Sequence, residues 1–364
     1  MKIYVFGTRG FPHMQGGVET HCEKLYTALP ESFQITVFRR KSFLPPHAEK
    51  QLRHIRFIDV VSTKRKGFET FFHSFLCACI CIVKRPDVVH IHNIGPGLFT
   101  PLLAMFGIPV VLTYHSPNYE HQKWGGMARA ILRLGERLSL AFSSRIIFVN
   151  QFQRNKYPEK IINKSIFLPN GVDREEPVKN RDYIDSLGLT PQRYILTIGR
   201  ITQEKGHDYL IDAFNLLDRQ DVKLVLAGGA DYSQEYSVQI MNKAKQENIV
   251  MTGYVHGDKL SQLYSHAKLF VFPSYNEGFP IALLEAMNYR LPIIASDIPA
   301  NKQLRLPEDC FFKTGDIDAL KDKMEGMLNK DIGAYPYDLT EYDWRKIAEH
   351  VSRLYEQAVN ETID

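Results

Sequence analysis

Short apolar runs alternate with amphipathic stretches along most of the chain. In the second half, five apolar runs predict strands: RYILTIG, VKLVLAG, NIVMTG, KLFVFP and PIIAS. Stretches such as DYLIDAFNLL and KLSQLYSHA lie between most of these runs and have the spacing of helices with one apolar face. Short, continuously apolar strands that alternate with helices are typical of a parallel sheet with helices on both faces.

The first half repeats this alternation, and its predicted strands are KIYVFG, QITVFRR, PDVVHIHN, IPVVLTY and RIIFVN. A chain of 364 residues is long enough for two such domains, each with its own core. The turn at Asn170-Gly171, followed by the polar segment 174–192 with its two prolines, predicts the boundary between them. We therefore predict two doubly wound α/β domains, residues 1–173 and residues 174–340.

Two carboxylates frame the segment that follows the strand KLFVFPS. Glu277 lies in the loop at the carboxyl end of this strand, and Glu285 lies within the helix predicted to follow. In an open parallel sheet, ligands bind at the edge formed by the carboxyl ends of the strands. We expect the helix to start at Gly278-Phe279, where free backbone N–H groups and the positive end of the helix dipole attract an anion such as a phosphate.

A second stretch places two cations at the same kind of position. The strand in LTIGRITQEKG ends at Gly199-Arg200, and the loop that follows contains Lys205 and Gly206. Arg binds phosphate oxygens as a two-pronged donor and Lys binds them as a point charge, so the two side chains together suit a diphosphate. With the two carboxylates available for hydroxyl groups, the sequence predicts a ligand that carries both a diphosphate and hydroxyls.

These two motifs resemble those of a known enzyme family. Glu277-x7-Glu285 combined with GRITQEKG is similar to the retaining glycosyltransferases of family 4, which have the GT-B fold, and the likeness covers nearly the whole chain. The opening GTRGFPHMQGGVET resembles the bacterial branch that includes rhamnosyltransferases of surface polysaccharide synthesis. The resemblance implies two Rossmann-like domains that face a cleft. Residues 1–173 would lie on the acceptor side with the helix 341–360 packed back on them, and residues 174–340 would bind a nucleotide sugar.

The resemblance also implies an activity. A sugar, with a deoxyhexose such as rhamnose as the first candidate, would pass from a nucleoside-diphosphate donor to a lipid-linked or polysaccharide acceptor with retention of configuration. Arg200, Lys205 and the N–H groups of Gly278 and Phe279 would hold the leaving diphosphate. Glu277 would accept hydrogen bonds from sugar hydroxyls, with a helix cap as its alternative role. Glu285 would hold the ribose hydroxyls, with a solvated helix face as its alternative.

The predicted donor site also includes two features from the first half of the chain. Gly16-Gly17 lets the backbone approach a ligand closely, and the resemblance implies that this loop faces the donor phosphate; a plain turn is the alternative. His115 follows the strand IPVVLTY, and the resemblance implies that it lies beside the transferred sugar; a structural histidine is the alternative. His115 thereby joins the two cations and Glu277 in the predicted catalytic set.

We expect neither a metal nor a cofactor. No Asp-x-Asp pair stands at a strand end, where a divalent cation would bridge the phosphates, and the sugar nucleotide is a substrate. His90 and His92 share one face of their strand, but no third ligand is evident, so we expect them to line a cleft. Cys77, Cys79 and Cys81 lie within one predicted helix, where their spacing does not supply a tetrahedral zinc site.

The net charge of +4 conceals an asymmetry between the two halves. Residues 1–175 contain 24 Lys and Arg against 12 Asp and Glu, whereas the remainder contains 21 against 29. A basic first half suggests an anionic partner, which a membrane surface, a lipid diphosphate or a nucleic acid could supply. The chain has no basic-aromatic recognition motif, so we do not expect nucleic-acid binding.

Two basic and apolar segments, residues 64–85 and residues 129–145, are candidates for peripheral contact with an anionic membrane. Neither reaches the roughly 18 to 20 apolar residues of a bilayer span. The alternative for residues 64–85 is a buried crossover helix with solvated ends. Because the chain opens directly on a core strand and not on a signal peptide, we expect a cytoplasmic protein that associates with the inner face of the cell membrane.

Two other functions fit the same fold and stay open at this point. An epimerase would act on the nucleotide sugar without any acceptor. A non-catalytic sugar-nucleotide-binding protein would bind the donor but release no nucleoside diphosphate. Release of nucleoside diphosphate that depends on an acceptor distinguishes a transferase from both.

Overall fold

The computed structural model describes residues 1–44, 47–63, 68–117, 119, 125–230, 235–246, 248–330 and 335–363. The chain forms two compact units: unit 1 comprises Met1–Gly171 and Glu341–Asp364, and unit 2 comprises Val172–Thr340. Each unit is a Rossmann-like α/β structure built on a largely parallel sheet, and the predicted fold class is thereby confirmed.

The sheet of unit 1 has eight strands, in the order β3-β4-β2-β1-β5-β6-β7-β8. All neighbouring pairs are parallel except β3 with β4. The strand order reverses between β1 and β5, so the loops that follow these strands meet at the carboxyl edge of the sheet. The strands are β1 Lys2–Phe6, β2 Gln34–Arg40, β3 Gln51–Leu52, β4 Ile55–Val60, β5 Val88–His92, β6 Val110–Tyr114, β7 Arg145–Phe148 and β8 Ser165–Phe167.

Helices cover both faces of this sheet. Alternate residues of β1 point to opposite faces, and Ile3 and Val5 share a core with α1 and the C-terminal helix. Phe6 instead belongs to the core formed with α2, α3 and α4. The first six helices are α1 Gly17–Ala28, α2 Phe68–Lys84, α3 Thr100–Met105, α4 Gly126–Phe142, α5 Gln151–Arg154 and α6 Glu159–Ile162, with a 3₁₀ turn at Pro96–Phe99.

The sheet of unit 2 has six strands, all parallel, in the order β11-β10-β9-β12-β13-β14. The first strand, β9, lies between β10 and β12, so the strand order reverses at β9. The strands are β9 Tyr194–Ile198, β10 Lys223–Ala227, β11 Ile249–Gly253, β12 Leu269–Phe272, β13 Ile293–Ser296 and β14 Phe311–Phe312.

The helices of unit 2 and the C-terminal helix complete the fold. They are α7 Asp182–Ser186, α8 His207–Asn215, α9 Glu235–Lys243, α10 Asp258–His266, α11 Ile281–Asn288, α12 Pro299–Lys302, α13 Ile317–Leu328 and α14 Trp344–Ile363. The apolar stripe of α14, which includes Ile347, Val351 and Tyr355, is buried in the core of unit 1 beside α1. No helix in the described ranges is both long and apolar enough to cross a bilayer.

One predicted element boundary is wrong. We expected a helix start at Gly278-Phe279, but α11 begins at Ile281 with Pro280 as its N-cap. The ring of Pro280 disfavours helical geometry at the preceding residue, so Phe279 cannot be part of the helix. Gly278 and Phe279 therefore lie in the loop before α11.

Candidate functional site

Two loops meet at the point in unit 2 where the strand order reverses. One follows β9 and contains Arg200 and Lys205, and the other follows β12 and contains Glu277. The backbone N–H of Tyr275 donates to the carbonyl of Glu204 at 2.8 Å, which ties the loops together. The crevice at such a reversal is where doubly wound sheets bind ligands.

Lys205 and Glu277 form an ion pair across this point. The Nζ atom of Lys205 lies 2.5 Å from Oε1 of Glu277, and only 19% and 11% of the two side chains are exposed. Ser274 Oγ donates to the same carboxylate oxygen at 2.6 Å. The structure thus brings together Lys205, predicted to bind the diphosphate, and Glu277, predicted to bind the sugar hydroxyls. Each side chain fixes the position of the other.

Arg200 is half-buried at the end of β9. Its guanidinium group forms no hydrogen bond or ion pair with any residue that the structure describes. Its backbone, in contrast, is fixed, because the Nε2–H of His207 donates to the Arg200 carbonyl at 3.2 Å. Burial lowers the pKa of His207 to about 4, so this imidazole is neutral at pH 7. His207 is not among the site residues predicted from the sequence, although it follows Gly206 directly at the start of α8.

Two glycines allow the loops to approach each other. Gly206 has φ 67°, and a Cβ there would lie 2.2 Å from the carbonyl oxygen of Pro273. At Gly228, after β10, a Cβ would lie 1.9 Å from the carbonyl oxygen of Gly199. The second glycine was missed, because the adjacency of β9 and β10 is not evident from the sequence.

Glu285 lies on α11 and is half-buried. Its Oε2 accepts a hydrogen bond of 2.8 Å from the hydroxyl of Tyr264, whose ring is buried and stacks on Tyr289. The carboxylate is therefore fixed by a buried tyrosine, and the alternative of a fully solvated helix face is wrong.

The glycine pair of the opening loop serves two different purposes. A Cβ on Gly16 would lie 2.1 Å from Oε2 of Glu19, whereas no described atom lies within 4 Å of a Cβ on Gly17. Glu19 is buried and accepts hydrogen bonds from Thr8 Oγ1 at 3.3 Å and from the backbone N–H of Arg9 at 3.1 Å. Gly16 is therefore required by the packing of its own loop, but Gly17 is not.

His115 lies at the carboxyl edge of the unit 1 sheet within a buried group of histidines. Its Nε2 is 3.1 Å from Nδ1 of His92, and His21 of α1 packs against both rings. We expected no third ligand for a metal beside His90 and His92. This expectation is wrong, because three histidines do converge. They are His21, His92 and His115, and His90 is not one of them.

His90 stacks on His92 and shares the hydroxyl of Tyr26 with it, but its own nitrogens bond to other groups. Its Nε2 is 2.7 Å from Oγ1 of Thr113, and its Nδ1 lies 2.9 Å and 2.7 Å from the hydroxyls of Tyr26 and Tyr355. Burial lowers the pKa of His90, and it also lowers the pKa values of the three converging histidines, that of His21 to about 4. All four imidazoles are therefore neutral at pH 7.

The two segments predicted to contact a membrane flank the 3₁₀ turn of unit 1. A Cβ on Gly95, at the start of this turn, would lie 3.3 Å from Leu132 of α4 and 3.8 Å from Thr70 of α2. The outer sides of the two helices carry exposed apolar side chains, which we call the apolar surface: Phe68, Phe71, Phe75, Met127, Ile131 and Leu134. The basic residues 64–66 at the start of the predicted segment 64–85 lie outside the described residues.

Comparison with known proteins identifies the class. Residues 15–176 match the model of the family "Glycosyltransferase Family 4", and residues 180–351 match the model "Glycosyl transferases group 1". An uncharacterized glycosyltransferase of Methanocaldococcus jannaschii is 37% identical over 327 residues, which cover 82% of this chain and 81% of the relative. The chain belongs to the GT-B glycosyltransferases of the family 4 type.

A second relative and a solved structure are also similar to this chain. The O-antigen chain mannosyltransferase B of Escherichia coli is 26% identical over 221 residues, which cover 58% of this chain and 55% of the relative. The solved structure of sucrose-phosphate synthase from Thermosynechococcus elongatus has a TM-score of 0.79 at 20% identity and covers 99% of both chains, which shows the shared fold. The chain is thus a glycosyltransferase that uses a nucleotide-sugar donor.

Proposed function

We propose that this enzyme transfers a sugar, with a deoxyhexose such as rhamnose as first candidate, from a nucleoside diphosphate to a lipid-linked or polysaccharide acceptor. Configuration at the anomeric carbon is retained, and the transfer needs no metal ion. The observation that carries the proposal is the meeting of Arg200, Lys205 and Glu277 where the strand order of unit 2 reverses.

The diphosphate of the donor binds at the loop after β9. The guanidinium of Arg200 has no partner among the described residues, so it is available as a two-pronged donor to phosphate oxygens. Lys205 has three N–H groups, and its bond to Glu277 uses one of them. Cations at this position stabilise the charge that develops on the leaving diphosphate, and Lys205 is already held in place by Glu277.

The two carboxylates hold the hydroxyl groups of the donor. Glu277 lies beside Lys205 and so next to the diphosphate, where hydroxyls of the transferred sugar are within reach. Glu285, fixed by Tyr264, accepts from the ribose hydroxyls. His115 lies beside the transferred sugar, and Gly17 lets the opening loop approach the phosphate. Gly278 and Phe279, in the loop before α11, are the remaining residues of unit 2 that we assign to the donor.

We propose retention because the motifs resemble those of the retaining enzymes of family 4. Without a carboxylate nucleophile, retention requires the acceptor hydroxyl to attack the anomeric carbon from the face that the diphosphate leaves. A glycosidase of the retaining type uses one carboxylate as nucleophile and a second as acid and base on the two sides of one bond. Here Glu277 is held by Lys205 and Ser274 and Glu285 is held by Tyr264, and neither is assigned as a nucleophile. The two cations supply the charge that a divalent ion supplies elsewhere.

The acceptor is carried on the membrane, and the apolar surface contacts it. The rings of Phe71 and Phe75 pack at a tilt against the ring of Phe99 in the 3₁₀ turn, which fixes them at the surface. Arg133 and Arg137 are exposed along one side of the apolar stripe of α4. Exposed aromatic and aliphatic side chains beside cations suit an anionic bilayer, because the rings enter the headgroup layer and the guanidinium groups pair with phosphates.

Vesicle co-sedimentation tests the membrane contact. Phosphatidylglycerol vesicles should retain the wild type and phosphatidylcholine vesicles should not, and Phe71→Ser combined with Ile131→Ser should abolish retention. Leu216→Ser is the matched control, since Leu216 is equally exposed but lies in unit 2. If phosphatidylglycerol vesicles retain the double variant as well as the control, the membrane contact lies outside the apolar surface.

Thermal shifts with a panel of nucleoside diphosphates and their sugars test the donor site. Arg200→Ala and Glu285→Ala should abolish the shift that the best ligand gives to the wild type. Arg193→Ala is the control, because Arg193 precedes the opposite end of β9 and pairs with Asp221 at the surface. Shifts that survive in both site variants would show that the donor site is wrongly assigned. Acceptor-dependent release of nucleoside diphosphate separates a transferase from an epimerase or a binding protein.

EDTA tests the metal independence of transfer. Turnover of the chelated enzyme should equal that of the untreated enzyme. A loss of turnover in EDTA that manganese restores would contradict this part of the proposal.

A further inference from the structure

Three imidazoles from three elements converge in unit 1. His21 lies on α1, His92 ends β5 and His115 follows β6. One ring nitrogen of each lies within 4.8 Å of those of the other two, and all three side chains are buried. We propose that this three-histidine cluster binds a divalent transition metal, with Zn²⁺ as the ion that fits best.

One ring nitrogen of His21 is buried without a hydrogen-bond partner among the described residues. The Nδ1 of His21 lies 2.6 Å from Oδ1 of Asn170, and since an amide oxygen only accepts, Nδ1 carries the proton of this hydrogen bond. Nε2 then has a lone pair, and this buried atom has no hydrogen-bond partner among the described residues. A buried acceptor without a donor is unfavourable, and a metal ion would satisfy it.

The groups around the three imidazoles are arranged as they are around a bound metal. In protein metal sites, a ligating imidazole usually donates its other N–H to an oxygen atom, which fixes the ring. His21 has Asn170 in that role, and His92 has the hydroxyl of Tyr26, 2.6 Å from its Nε2. The nitrogens of His92 and His115 are 3.1 Å apart. Two ligands about 2.0 Å from a tetrahedral zinc are separated by roughly 3.3 Å.

A hydrogen bond without a metal accounts for only part of this geometry. An N–H of either ring could donate across the 3.1 Å between His92 and His115, but that bond leaves Nε2 of His21 unsatisfied. His90 does not compete for the ion, because Thr113 and two tyrosine hydroxyls engage both of its nitrogens. Three neutral imidazoles are a ligand set that Zn²⁺ accepts, with a fourth position left for water or another ligand.

The cluster is built from residues of unit 1 alone and includes none of the cations assigned to the diphosphate, so it does not change the proposal that transfer itself needs no metal. One consequence does rest on that proposed function. His115 is expected beside the transferred sugar, and a zinc ion bound to it would withdraw its ring nitrogen from the sugar. Bound zinc should therefore inhibit transfer.

Direct binding measurements test the site independently of activity. The full chain, stripped with a chelator that is then removed, should bind one Zn²⁺ per chain by isothermal titration calorimetry, and Co²⁺ should give the visible spectrum of a tetrahedral site. His21→Asn should lose both signals. His207→Asn, which removes an equally buried histidine from unit 2, should keep them. Binding that is absent in the wild type, or unchanged in folded His21→Asn, would overturn the proposal.

X-ray absorption of the zinc-loaded wild type keeps the proposal testable should His21→Asn fail to fold. Three imidazole ligands are expected around the ion. A spectrum with fewer than two imidazoles would place the zinc on surface groups and refute the site, whereas the donor-site proposal would stand or fall separately by its thermal shifts.

Discussion

The Nζ atom of Lys205 lies 2.5 Å from Oε1 of Glu277, and this ion pair joins the loops after two strands that are neighbours in space but far apart in the chain. Each group alone would be a partly desolvated charge. Together they place a cation for the diphosphate and a carboxylate for the sugar hydroxyls at one position. The two residues should therefore behave as one unit in mutational experiments.

The first prediction concerns this coupling. Lys205→Met and Glu277→Gln should each lower kcat/KM by about 10²-fold or more, the usual effect of removing one group that stabilises developing charge. The double variant should lose little more than the worse single variant, because each change already disrupts the other group. Steady-state kinetics of the four proteins measures the coupling.

An exposed pair provides the control for this cycle. Lys321 and Glu325 form an ion pair along α13 on the surface of unit 2. Surface pairs of this kind contribute little, so Lys321→Met should leave kcat/KM unchanged. Strictly multiplicative losses in the Lys205 and Glu277 cycle would show that the two residues act independently.

The second prediction separates the two glycines of the opening loop. Gly17→Ala should leave the melting temperature unchanged, since no described atom lies near the added methyl and Ala favours a helix. Transfer should nonetheless fall by about 10²-fold, because a methyl between the loop and the phosphate misplaces the donor. Gly16→Ala should lower both the melting temperature and the activity, because its Cβ would collide with Glu19. Full activity in Gly17→Ala would remove this loop from the donor site.

The third prediction concerns pH and His207. The pKa of His207 is lowered to about 4, chiefly by burial and further by Lys205, while the hydrogen bond to the Arg200 carbonyl, Asp208 and Glu204 oppose the shift. Between about pH 6.5 and pH 4 the unfolded state binds more protons at this residue than the folded state, so stability falls as the pH falls through this window. The full shift corresponds to roughly 3 kcal/mol of unfolding free energy, complete above about pH 6.5.

Hydrogen exchange of peptides from β9 and α8 measures this effect locally. After correction for the intrinsic pH dependence of exchange, protection in the wild type should fall below about pH 6. His207→Gln removes the titrating group, so its protection should vary less with pH in the same window. Identical pH profiles for the two proteins would show that His207 does not limit the stability of unit 2 in acid.

The sequence was sufficient for the fold and for the motifs of unit 2, but not for their mutual contacts. Arg200, Lys205 and Glu277 each follow an apolar run, so their place at strand ends could be predicted. That β9 and β12 are neighbours depends on the strand order, which local patterns do not encode. The helix start was misplaced for a local reason, because the restriction that Pro280 imposes on Phe279 was overlooked.

The histidine cluster shows the same limit more clearly. His92 and His115 lie at predicted strand ends, but His21 lies within a helix and carries no motif that marks it as a ligand. It joins the other two only because α1 packs across the carboxyl edge of β5 and β6. The exposure of Phe68, Phe71 and Phe75 could not be predicted for a related reason. The sequence of a helix that is apolar nearly all round does not indicate which face the sheet covers.

The last prediction tests how Glu285 is held. Tyr264→Phe removes the hydroxyl that donates to this carboxylate but keeps the buried ring and its stacking on Tyr289. A hydrogen bond to a charged group is worth about 1.5 to 3 kcal/mol, so the dissociation constant of the nucleoside diphosphate should rise about tenfold or more.

Tyr194→Phe is the matched control for this experiment. Tyr194 is also buried in unit 2, and its hydroxyl donates to the carbonyl of Leu263 at 2.7 Å, but it begins β9 at the edge of the sheet opposite the site. This variant should lose a similar amount of stability and keep its affinity for the nucleotide. Each variant loses a contact between a hydroxyl and a backbone carbonyl, that of Ala282 for Tyr264 and that of Leu263 for Tyr194. A loss of affinity confined to Tyr264→Phe is therefore assigned to the freedom that Glu285 gains. Equal affinities in calorimetric titrations of the two variants would mean that the ribose hydroxyls are held elsewhere.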